Sequence, residues 1–109
     1  LMLKPAGQIA LFRAARLARE QIGDSFNIDD FMRAAAKINW SVEALIWENI
    51  LVLGRSRILA KRTNYDDAAL LILWCCYNGK VPNQDHLLRQ LTARWEKANP
   101  NTPVPSALS

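Results

Sequence analysis

Glycine is scarce in this chain, with four in 109 residues, and those four are scattered, so no Gly-rich loop can cradle a phosphate. Histidine is scarcer. His86 stands alone, with no sequence neighbours that would make a catalytic triad or a metal cluster. The only cysteines, Cys75 and Cys76, are adjacent. Neighbours on a helix point about 100° apart and cannot easily bridge one another, so they make no disulfide framework. Nor do they resemble the exposed turn from which zinc sites draw paired ligands. Buried thiols fit a reducing compartment, and with no segment reading as a signal peptide the expected location is cytoplasmic.

Long apolar runs are missing too. The longest, residues 68–77, reads AALLILWCCY, and a bilayer needs roughly 20 residues of helix. No membrane association is expected. No stretch alternates with period two for long enough to announce a strand. These gaps lead to a non-enzymatic reading with no catalytic residues, no cofactor and no metal.

Acidic residues are outnumbered: ten Asp and Glu face fourteen Lys and Arg, a formal charge of +4 and a pI near 9.4. Nine of the fourteen are Arg. That balance permits a phosphate-bearing or acidic partner without demanding one. Half the residues are hydrophobic and 22% are charged, the balance of a globular domain. A chain of this length can build one core without disulfides.

The apolar spacing that is present is helical. Residues 5–22 carry Leu11, Ala15, Ala18 and Ile22 on one face, and Arg13, Arg16 and Arg19 on the other. Asn27 is placed to cap a helix over 28–38, with Asp29 and Asp30 in its first turn. Ser41 would cap another over 42–53, closed by Gly54. The most basic run, 54–63, follows. A central helix over 65–78 then begins after Asn64, with Asp66 and Asp67 in its first turn, and ends at Asn78-Gly79. A last helix over 82–97 buries Leu87, Leu88, Leu91 and Trp95. The fold class is therefore all-α: a compact single-domain bundle of five to six helices with a buried central helix, over residues 1–99. Residues 100–109, with Pro100, Pro103 and Pro105, form a Pro-rich mobile tail.

Two functional readings follow. The helices over 42–53 and 65–78 are apolar nearly all round, and a domain this small can surround about one such helix. The surplus predicts an assembly module, adaptor-like or chaperone-like, that binds another protein or forms a homo-oligomer through Trp40, Trp47, Ile50, Leu51 and Ile58. The alternative is a DNA- or RNA-binding module. A helix-turn-helix over 31–53 fails because its second helix would show Val42, Leu45, Ile46, Trp47 and Ile50 to the bases. A pair over 65–78 and 82–97 has suitable chemistry: Asn83, Gln84, Arg89 and Gln90 bond base edges, and Arg94 meets phosphate. Arg55, Arg57 and Arg62 in the basic run would add phosphate contacts.

Overall fold

The computed structural model describes residues 6–41, 45–54, 57–59, 61–77 and 84–104. Among them are four α-helices: α1 (Ala6–Ile22), α2 (Ile28–Ala35), α3 (Arg62–Cys76) and α4 (Gln84–Ala98). Short 3-10 turns occupy Gly23–Ser25 and Leu45–Trp47. A small antiparallel pair, β1 (Val52–Leu53) and β2 (Arg57–Ile58), sets Val52 opposite Ile58 and Leu53 opposite Arg57. The fold is mostly helical and compact, about 39 × 27 × 24 Å. None of these helices is long and apolar enough to cross a membrane.

The centre is α3, as its composition requires. Ala68 to Leu73 are six consecutive buried residues, followed by buried Cys75, because α1, α2 and α4 all pack on this helix. Its most extensive neighbour is α1, which meets it through Ala10, Ala14 and Ala18, each with no exposed surface. Small side chains let the two backbones approach; Ala18 lies on the inward stripe as expected, while Ala10 and Ala14 take the places expected for Leu11 and Ala15. Leu11 and Ala15 flank the contact instead, partly buried.

The sequence misplaces the start of α3. The cap position is Lys61, extended and without a side-chain cap bond, and Tyr65 N–H already donates to Lys61 O at 3.2 Å. Asn64 does not cap. Its amide donates to Ile50 O at 3.0 Å and ties the helix to the preceding segment. Asp66 and Asp67 are drawn to Arg13 of α1 and Arg94 of α4. Asn27 does cap α2, accepting from Asp30 N–H at 3.1 Å. That helix stops at Ala35, whose carbonyl accepts the Trp40 indole N–H at 2.8 Å.

The larger correction concerns 42–53, which is not a helix over its described part. Residues 42–44 lie outside the described residues. From Leu45 the chain makes one 3-10 turn, and the N–H groups of Ile50 and Leu51 both donate to Trp47 O at 3.0 Å. Asn49 sits at φ +61°, a left-handed conformation that an α-helix does not tolerate but Asn adopts readily. Val52 and Leu53 then run into the strand pair. Ile46, Trp47, Ile50 and Val52 are β-branched or aromatic, types that pack well on extended backbone and gain little from a helix. Side-chain bonds replace the missing ladder. Asn49 Nδ2 donates to Asn99 Oδ1 at 3.0 Å, Asn99 Nδ2 donates to Glu48 O at 3.1 Å, and Glu48 Oε1 accepts from Gly54 N–H at 2.8 Å.

The start of the Pro-rich tail is docked. Thr102 O accepts the Trp95 indole N–H at 3.0 Å and Val104 packs against the core. Residues 105–109 lie outside the described part.

Candidate functional site: an arginine-lined groove

Arg13, Arg16, Leu17 and Glu20 recur at i, i+3, i+4 and i+7 and so share one face of α1. On α3 the set Arg62, Asp66, Ala69 and Leu70 shares a face by the same rule, and on α4 Gln90 and Arg94 stand one turn apart. With α1 and α4 both packed on α3, these faces converge on a groove of about 510 Å³. Ala69 and Leu70, both buried, supply apolar floor.

Four arginines from three helices line this groove against two carboxylates, Glu20 and Asp66. Two of the arginines fasten helices together. Arg13 donates to Asp66 and lies over the Tyr65 ring, its guanidinium carbon 5.7 Å from the centroid. Arg94 donates to Asp67 at 2.6 Å. Burial pushes the Asp67 carboxyl above its ordinary range, and the Arg94 guanidinium opposes that shift. The other two arginines are less committed. Arg16 meets Glu20 at 3.4 Å along the helix surface, with side chains 83% and 60% exposed, and such pairs hold only weakly. Arg62 is exposed and has no ion pair among the described residues. Arg16 and Arg62 can therefore turn to a ligand's anion at little cost to the fold.

The expected site residues divide sharply. Trp47, Ile50 and Leu51 are core, at 0, 2 and 0% exposure. Trp40 is half-buried and stacked on Trp47, their ring centroids 5.2 Å apart. Ile58 packs half-buried against the same core. Trp47, Ile50 and Leu51 hold the chain's own fold together and in this conformation offer no free anchor to a partner, while Trp40 and Ile58 keep part of their surface in solvent. The physical reason is the irregular path of 45–53, which turns every large apolar side chain of Ile46 to Val52 inward where a helix would have pointed some of them out. Of the nucleic-acid set, Arg62, Gln90 and Arg94 meet in the groove. Gln84 and Arg89 are exposed on α4, and Arg57 is exposed on β2. Arg55 and Asn83 lie outside the described residues. Sequence reasoning did not assign Arg13, Arg16, Glu20 or Asp66 to any site. Their helical spacing was visible, but which helix faces which was not.

The cysteines behave as core. Cys75 is 7% exposed, and burial pushes its thiol up to about 11. Cys76 is half-buried with its Sγ 4.0 Å from Phe31 O, and burial together with Cys75 pushes it up to about 12. Both thiols are therefore protonated at neutral pH. Labelling with a thiol reagent is expected to be slow in the native protein and to reach both thiols on denaturation. Fast native labelling of either would contradict this burial.

Comparison with known proteins gives no matching family model, no matching curated protein and no matching solved structure.

Proposed function

We propose that this chain is a non-enzymatic helical binding module that takes a phosphate-bearing partner, a nucleic acid, into the groove between α1, α3 and α4. The observation that carries the reading is the convergence of Arg13, Arg16, Arg62 and Arg94 from three helices on one recess. Arginine presents a planar fork of donors matched to phosphate oxygens. Gln90 adds an amide that can both donate and accept beside them. The net positive charge of the whole chain favours the encounter.

Binding to oligonucleotides should fall steeply with salt, with a log–log slope of about −0.7 to −0.9 per phosphate neutralised. Arg16→Ala with Arg62→Ala is expected to flatten that slope by about one unit per lost contact while the fold is kept. Absence of binding at about 50 mM salt, where phosphate contacts are strong, overturns the proposal.

A second reading, assembly with another protein or another copy of the chain, draws support from different side chains than the sequence suggests. Ile28 and Met32 stand one turn apart on α2 at 50 and 44% exposure. Solution size measured with and without nucleic acid separates the two. A dimer without nucleic acid that is insensitive to salt favours assembly, and a monomer that grows only on adding nucleic acid favours the groove.

A further inference from the structure

Among the described residues, Phe12 is the most exposed of the large apolar side chains, at 75%. It lies on α1 one turn before Arg16 and next to Arg13, both of which line the groove, while its own side chain stands outside that lining. At i−4, i+4 and i+7 it is flanked by Gln8, Arg16 and Arg19, all exposed, while the apolar Ile9 and Ala15 at i−3 and i+3 are partly buried. A helix docking on α1 would look for exposed apolar anchors at those spacings and would find an amide and two cations. A flat aromatic face among arginines suits a different partner, a nucleotide whose base stacks on the ring while the strand's phosphates lie on the neighbouring guanidinium groups.

The dimensions of the recess select between forms of nucleic acid. A volume of about 510 Å³ is that of a small-molecule pocket, and it is recessed between helices. A duplex keeps its bases stacked inside and offers no free ring face to Phe12. A single strand can follow the groove and turn one base outward. We infer that the groove binds single-stranded nucleic acid, with backbone phosphates on Arg16 and Arg62 and one base stacked on Phe12, an inference that rests on the phosphate-binding reading above.

Three probes test it: short oligo(dT) and oligo(U), a duplex of the same length, and inorganic polyphosphate, which carries charge without bases. Phe12→Leu keeps an apolar side chain but removes the ring, and Phe12→Tyr keeps the ring. Because Phe12 is exposed, both variants should melt like the wild type, which circular dichroism checks. Phe12→Leu is expected to weaken single-strand binding about 5- to 100-fold, with the salt slope and polyphosphate binding unchanged. Phe12→Tyr should restore it. If Phe12→Leu binds single strands as the wild type does while polyphosphate still binds, the stacking inference falls and the groove reading stands. Tighter binding of the duplex than of either single strand also overturns the inference. Failure of every probe to bind overturns both.

Discussion

Trp47→Ala is expected to cost about 3–5 kcal/mol of folding stability, a large share of the roughly 5–15 kcal/mol that holds a domain folded. The indole has no exposed surface and stacks on Trp40 at an interplanar angle of 25°. Its Nε1–H donates to Asn39 O at 2.6 Å, so truncation both opens a cavity and leaves a carbonyl without its donor. The Trp47 carbonyl organises the same turn by accepting from Ile50 and Leu51. Trp47→Phe separates the two effects, since it fills most of the volume and removes only the N–H. It should cost about 1–2 kcal/mol, in the range of one lost hydrogen bond plus a small packing loss. Chemical denaturation followed by circular dichroism checks both. Trp47→Glu places a carboxylate in the core and should prevent cooperative folding. A folded Trp47→Glu variant that only shifts to a smaller species would return this residue to an interface role.

That test sits where sequence and structure part. The sequence announces α2, α4 and the buried body of α3, because each has a long period or a strong cap. Asn27 before Asp29 and Asp30 is a local signal, and it acts locally. The segment 45–53 has local signals that mislead, since Ser41 and Gly54 mark it as a capped helix. Its apolar residues fill every face, so periodicity cannot distinguish a helix buried all round from an irregular strand buried all round. Asn49 is the residue that decides, by taking a left-handed conformation that its bond to Asn99, fifty residues away, supports. No local reading contains that bond. The groove shows the same limit. The stripe of Arg13 and Arg16 and the set Gln90 and Arg94 are each readable alone. What unites them is the packing of α1 and α4 on α3, and on the α1 side that packing rests on alanines that carry no directional signal.

The second large effect tests α3 itself. Leu71→Ala is expected to cost about 2–5 kcal/mol, toward the upper part of that range. Leu71 has no exposed surface and lies within the run from Ala68 to Leu73 in which every residue is buried. The price of such a truncation grows with the cavity that remains, by about 24 cal/mol per Å³ in a well-studied series of core leucines. A helix at the edge of a domain can settle inward to shrink the cavity. This one cannot move toward one neighbour without leaving another, because α1, α2 and α4 hold it from different directions and the Arg13–Asp66 and Arg94–Asp67 pairs bind it to two of them. Leu88→Ala on α4 provides the contrast. Leu88 is 39% exposed at the rim of the bundle, and its loss should cost about 1 kcal/mol or less, since much of its surface is already in water. Measured side by side in urea, the two variants should differ by well over 1 kcal/mol with unchanged m-values. Equal and small losses would mean that α3 is not enclosed as described, and the groove built on its outer face would lose its floor.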